Sequence, residues 1–461
     1  MLRNRQSILN SIKLTYIGMF LVHAFFPLPY LQEAMGFTAV LLFILTFSAT
    51  RPANRIMSLI LIASGIYFML TYQASWQSWI KASTYNASLI SLVLTVPLLG
   101  SILYFEPYQH HLSIIISRFA SSPYKFYVVA SMMLTLLASL INLASFHFVH
   151  QLLRNTAEKY PAKLFNSALI RGFMPNIMWS PSYISVALVA QYTNISWFAI
   201  APIGIAMALV GAVSMLFVGW LEYGQLKNPP AANCTLEPQG DIKKSGKFLL
   251  KLVLQTGILI FLIVALEYFT HKSAMVIVPL VSFAGPLFLA LAYGKTEAYM
   301  AQSRDFFVCR LPQMNNEFVL FTAIGFFGYA LGISDIPTYI PVLITRMGLD
   351  TPATLLPIIV FSIGLLSIIG IHPMITIAAL AASLPPGSTP LSTIQMAGAY
   401  LAGYMLYSVL SPFSAANLLV GSLAKESPLD VGLKQNGMFA IMYTIVSIGI
   451  ILMFFNWASI K

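Results

Sequence analysis

The sequence predicts an all-α, polytopic membrane protein with about eleven transmembrane helices and two re-entrant hairpins. Three observations carry that prediction. Of the 461 residues, 58% are hydrophobic and only 8% charged, whereas a soluble domain carries roughly 25% charged residues. Apolar runs of about 20 residues, long enough to span a bilayer's hydrocarbon layer, recur along the chain. The Lys and Arg residues fall in the short loops between those runs, mostly on one side, as cytoplasmic loops do.

The formal net charge of +11 is not gathered into a patch, which points to a lipid bilayer as partner and away from nucleic acid. Cys234 and Cys309 lie in polar loops with no His or Cys at metal spacing. They read as reduced structural thiols, with no metal or other cofactor implied. The N-terminus, MLRNRQSILNSIK, has the charge of a signal sequence. The apolar stretch after it lacks a small-x-small cleavage site, so it reads as an uncleaved first span.

Hydropathy then places the elements in order. Spans fall near 12–30, 36–50, 56–72 and 87–105. Residues 106–125 are amphipathic and bounded by prolines, which suits an arm lying in the membrane interface. The apolar stretch 126–158 is interrupted halfway and reads as a hairpin. A long helix at 164–192 is broken at Ser180-Pro181, and a span at 196–222 follows. The longest polar loop, 223–246, reads as a linker. Spans resume near 247–268, 274–293 and 317–334, followed by a second arm at 337–352 and a second hairpin at 353–386. A helix at 391–424, broken at Ser411-Pro412, and a last span at 436–457 complete the chain. With re-entrant hairpins and the N-terminus inside, RPANR (51–55), RNTAEKYPAK (154–163) and KKSGK in the linker share the inner side. The outer loops and C-terminus keep only Lys81, Lys272, Arg346 and Lys461. This charge bias predicts a cytoplasmic (inner) membrane protein with its N-terminus inside and C-terminus outside.

The chain also repeats itself. Beyond the N-terminal spans of 1–53, residues 54–222 and 247–457 read as two copies of one plan. SPSYISVALVAQYTNIS (180–196) aligns without gaps on SPFSAANLLVGSLAKES (411–427), and TLLASLINLASFHFVH (135–150) aligns on FSIGLLSIIGIHPMIT (361–376). The predicted topology puts the two arms on opposite sides, so the copies are inverted. Inverted repeats with paired broken helices mark secondary transporters, whose substrate sites lie near the bilayer midplane.

The breaks indicate where a ligand would sit. Proline opens the helix at each Ser-Pro pair, and the freed backbone groups need partners from neighbouring helices or from a ligand. Ser180, Ser182, Ser411, Ser414 and Asn417 lie in these breaks; Asn142, Ser145 and His147 are assigned to the first hairpin turn and His372 to the second. Half-helix N-termini offer N–H groups to an anion. All fourteen acidic residues lie in loops or near helix ends, and a cation site would keep a membrane carboxylate, so a small anion is the expected substrate. His147 and His372 read either as carriers of a coupling proton or as neutral groups satisfied by backbone. Arg171 reads either as a carboxylate partner or as a snorkelling residue.

This order of elements resembles the ion transporter superfamily, including the divalent-anion:sodium symporters and the large membrane subunit of tripartite C4-dicarboxylate transporters. The resemblance covers residues 54–457. It implies a homodimeric elevator in which a transport domain slides against a scaffold. It also implies that 142–147 and 367–373 are hairpin tips and that 180–183 and 411–417 are the broken-helix loops. The tips here read LASFH and IGIHP, where the symporters carry paired Ser-Asn-Thr tips, so a proton stands beside sodium as the coupling ion. The sequence thus reads as a transporter and not an enzyme. An integral-membrane glycosyltransferase, such as a polysaccharide polymerase or ligase, is the alternative from another class; a membrane scaffold without transport is the third.

Overall fold

The structure, a computed structural model, describes residues 2–119, 121–226, 241–385 and 387–458. Most of the linker, including Cys234, and the terminal Lys461 lie outside the described residues. In chain order the helices are α1 (Leu2–Phe25), α2 (Leu31–Phe47), α3 (Pro52–Thr71), α4 (Trp76–Thr84) and α5 (Ala87–Thr95), the last continuing into a 3-10 segment at Val96–Tyr104. Then come α6 (Tyr108–Phe119), α7 (Pro123–Ile141), α8 (Ala144–Ala157), α9 (Ala162–Trp179), α10 (Ile184–Thr193) and α11 (Trp197–Tyr223). After the linker follow α12 (Ile242–Thr270), α13 (Ala274–Ala292), α14 (Thr296–Asp305), α15 (Asn315–Ile333), α16 (Ile336–Arg346), α17 (Pro352–Ile368) and α18 (Pro373–Ser383). The chain closes with α19 (Thr393–Leu410), α20 (Ala415–Ala424) and α21 (Gln435–Ala458).

Among the described residues, nine helical runs are long and apolar enough to cross a membrane. The chain is a multi-pass membrane protein. Two of the eleven spans expected from hydropathy are not among the nine. α2 has only 17 residues, and the α9–α10 run carries Asn166, Arg171 and Asn176 within its buried length. The span expected at 87–105 starts earlier, because Trp76–Tyr104 is one helical run and Lys81 lies within it.

Local sequence explains where the helices begin. Ser122 caps α7 by accepting from the Lys125 N–H, with Pro123 in the first turn. Thr351 with Thr354 and Ser392 with Gln395 form reciprocal capping boxes at α17 and α19. Each satisfies N–H groups that a helix start leaves open.

Two compact units emerge, and neither follows the halves of the sequence. One comprises Met1–Ile102, Phe261–Asp350 and Met374–Pro390. Within it α3 lies along α15, α2 on α4, and α5 on α13. Its buried Lys13 donates to the Leu311 carbonyl (3.0 Å) and to Asn315 Oδ1 (2.7 Å). The other unit comprises Leu103–Ile260, Thr351–Pro373 and Leu391–Lys461. In it α7 packs on α9, α9 on α11, α17 on α19, and α19 on α21. The arm α6 is pinned to α12 by Glu106–Lys251 (2.7 Å) and by the Tyr108 hydroxyl on Gln255 (2.7 Å).

The second unit holds both broken helices, and they match closely. α9 and α19 have 18 residues each, and α10 and α20 have 10 each. The backbone leaves the first leg at Ser180 (φ −69°, ψ 126°) and at Ser411 (φ −68°, ψ 128°). Both second legs end on a left-handed residue, Asn194 (φ 54°) and Lys425 (φ 56°). α7 and α8 are joined at Asn142, whose φ of 49° with ψ of −128° is a sparsely populated conformation for a residue with a Cβ. Such a residue costs about 1–3 kcal/mol and persists only where its surroundings hold it. The connection after α17 places Gly370, with φ of 100°, at the corresponding turn.

Glycine permits the close α7–α9 approach: a Cβ on Gly172 would fall inside contact distance of the Ser131 backbone. Small residues let membrane helices approach in this way. Gly172→Val is therefore expected to abolish most folded protein on size exclusion in detergent. Gly257→Ala, whose Cβ meets nothing within 4 Å, should retain it. Equal yields of the two variants would refute the contact.

Candidate functional site

Pro181 and Pro412 have no N–H, so the carbonyls four residues before them, Ile177 and Ser408, lose their helical partners. The chain answers both deficits with a serine. The Ser185 hydroxyl donates to the Ile177 carbonyl at 2.6 Å, and the Ser414 hydroxyl to the Ser408 carbonyl at 2.9 Å. The orphan created in each break is thus met by a side chain of its own broken helix.

In the second break the repair extends further. Asn417, fully buried, donates its amide to the carbonyls of Val409 (2.8 Å) and Ser411 (2.9 Å). Ser414 caps α20 by accepting from the Asn417 N–H, and Ser411 accepts from the Phe413 N–H. The Ser411 hydroxyl donates at 2.6 Å to the Ser367 carbonyl in the last turn of α17. Asn417 Oδ1 is the one atom of this set that is buried without a hydrogen-bond partner among the described residues.

The first break is satisfied differently. The Trp179 carbonyl accepts from the Trp197 indole at 2.8 Å. The Tyr183 hydroxyl reaches the Ala138 carbonyl on α7, also at 2.8 Å. Ser180 and Ser182 hydroxyls lie 3.0 Å apart, and both residues are buried. Tyr183 at the start of α10 makes no side-chain cap, so the first-turn N–H groups there have no capping side chain from that residue.

Each break is thereby tied to its own hairpin region. Among the described residues no hydrogen bond links one break to the other, so Ser411, Ser414 and Asn417 do not pair with Ser180 and Ser182. Ser145 is buried in the first turn of α8, where its hydroxyl donates to the Asn142 carbonyl at 2.6 Å. His147 departs from its expected place: the turn is Asn142–Leu143, and His147 lies one helical turn along α8 on an exposed face. His372 does lie in the turn after α17, its ring 5.5 Å from that of Tyr407.

Arg171 is neither snorkelling nor open to a ligand's carboxylate by its whole fork. It is fully buried on α9, with Nη2 2.9 Å from Glu222 Oε2 and 3.0 Å from the Gln435 carbonyl. Its Nε donates to Asn436 Oδ1 at 2.8 Å, and the guanidinium lies 5.4 Å from the Phe439 ring centroid. Below it, Glu426 accepts from Asn166 and Gln435. These acids carry a signal in the sequence: a buried arginine requires a carboxylate, and Glu222 is the acidic residue in the last turn of the adjacent α11. Ser185 and Trp197 carry none, because neither departs from ordinary membrane-helix composition.

No family model matches the chain, and no curated protein matches it. Among solved structures it is similar to the YdaH transporter of Alcanivorax borkumensis, at 14% identity and a TM-score of 0.43, over 79% of this chain and 86% of that one. It is also similar to MtrF of Neisseria gonorrhoeae, described as illuminating a class of antimetabolite efflux pumps. There the identity is 13% and the TM-score 0.39, over 84% of each chain.

Breaking a buried ion pair leaves an uncompensated charge, at roughly 3–5 kcal/mol. Glu222 retains some solvent access, so Glu222→Gln is expected to cost about 2–3 kcal/mol. Arg171→Met combined with Glu222→Gln should cost less than the sum of the single changes. Strict additivity of the three thermal-stability measurements would show that the pair is not coupled.

Proposed function

We propose that the chain is a secondary active transporter that moves a small organic anion, most simply a carboxylate, across the cytoplasmic membrane. One observation carries this reading: two helices broken at Ser-Pro pairs, equal in both leg lengths and matched in backbone angles where each leg ends, each bonded to the hairpin region beside it. A single proline kink needs no function. A matched pair is the arrangement in which transporters hold substrate at membrane depth.

The charge of the ligand follows from what the acids are doing. Glu222 is committed to Arg171, and Glu426 to Asn166 and Gln435. That leaves the breaks with hydroxyls, amides and the uncapped start of α10, a set that suits an anion. Ser180 and Ser182 are the side chains we assign to the substrate. Asn417 Oδ1, His147 and His372 are groups that a coupling sodium ion or proton could use. In the same reading the chain has eleven spans and two re-entrant hairpins, with the N-terminus inside and the C-terminus outside. The two copies are inverted, and a homodimer works as an elevator. The division into two compact units suits one body that moves and one that does not, although α18 falls with the first unit and not with the breaks.

The test is uptake by reconstituted protein of a carboxylate panel under an imposed sodium or proton gradient. Ser180→Ala and Ser182→Ala remove hydroxyls that, among the described residues, bond only to one another, so folded protein should be retained while uptake falls by about tenfold, some 1.4 kcal/mol. Ser411→Ala should lower both, because that hydroxyl holds the Ser367 carbonyl. Undiminished uptake in both Ser180→Ala and Ser182→Ala would remove the site. External labelling of cysteines placed in 154–163 would overturn the topology.

A further inference from the structure

His147, His150, Gln151, Arg154 and Asn155 follow one another at helical spacing along one face of α8. They line a cleft of about 500 Å³ that Leu423, in the last turn of α20, walls on the other side. The opposite face of α8 is buried through Ser145, Phe146, Val149 and Leu153, which fixes the polar row outward. His150 is further held by stacking on Phe165, centroid to centroid 5.6 Å.

The lining contains a guanidinium and two imidazoles but no carboxylate. Among the described residues Arg154 forms no ion pair. A cation in the last turn of a helix is commonly there to offset the negative end of the dipole, and that accounts for Arg154 alone. That account does not extend to His147 and His150, which stand earlier on the helix. The volume falls in the range of small-molecule sites, about 300–1,000 Å³. The cleft also touches both elements of the candidate site. α8 continues from the hairpin turn at Asn142, and α20 carries Asn417 roughly two turns before Leu423.

We propose that this cleft is a second anion site, a vestibule in which Arg154 pairs with the carboxylate of a small organic anion while His147, His150 and Gln151 donate hydrogen bonds to it. That the anion is the transported species rests on the transport reading; the site itself rests on the cleft.

The experiment uses full-length protein with Cys234→Ser and Cys309→Ser, and a reporter thiol introduced as Leu423→Cys. Its reaction with the anionic sulfonatoethyl methanethiosulfonate is compared with that of the cationic trimethylammonioethyl reagent. The anionic reagent should react roughly tenfold faster relative to the cationic one than each does with free cysteine. Its rate should also saturate with concentration, as binding before reaction requires. Arg154→Gln, and separately His147→Gln with His150→Gln, should bring the ratio several-fold towards parity and make the rate linear in reagent. A parent protein without anionic preference, a thiol that neither reagent reaches, or a preference that survives Arg154→Gln would overturn the site. None of these readouts requires transport, so failure of the uptake tests on Ser180 and Ser182 would be seen separately.

Discussion

The constraint on which the second unit depends is set by two prolines. Pro181 and Pro412 each deprive a carbonyl of its partner at a buried residue, where an unmet polar group costs about 1–3 kcal/mol. The Ile177 and Ser408 carbonyls are the groups affected, and both are met by serine hydroxyls. The serines come from different places: Ser185 is in the first turn of α10, whereas Ser414 is the cap of α20. One backbone problem, posed twice at matched positions, has one chemical solution supplied from two different places.

A second constraint stands a few turns away. Arg171 places a permanent charge inside α9, and no helix can bury it alone. Glu222, the Gln435 carbonyl and Asn436 surround it, and Glu426 binds Gln435 and Asn166 in turn. Four elements are thereby registered against one another: α9, α11, the chain after α20, and the start of α21. A largely buried ion pair adds little net stability over a hydrophobic isostere, so its effect here is register. It fixes how the first broken helix sits against the end of the second.

Much of this was legible in the residues. Composition specified a membrane chain, and proline with serine marked both breaks to the residue, because proline removes the N–H that an apolar helix needs there. The ends of α10 and α20 were less legible, since Asn194 and Lys425 share a left-handed conformation without sharing chemistry. His147 was misplaced because alignment against His372 carries residue type but not turn length. The first turn closes in two residues through an Asn at positive φ, and the second takes four with Gly370. Arg171 stayed ambiguous because its partners come from two distant elements, α11 and α21, and hydropathy contains no distances.

The two breaks also differ in what they leave open. In the second, Asn417 and Ser414 occupy the loose carbonyls and part of the N-terminus of α20. What remains is one amide oxygen, a group that can accept but not donate. In the first, the carbonyls are taken by Ser185 and Trp197, and what remains is a pair of hydroxyls beside an uncapped helix start. That set can donate to an anion. The residual chemistries therefore differ: an acceptor alone in the second break, and hydroxyls that both donate and accept in the first. The difference follows from which carbonyls each set of side chains was required to cover.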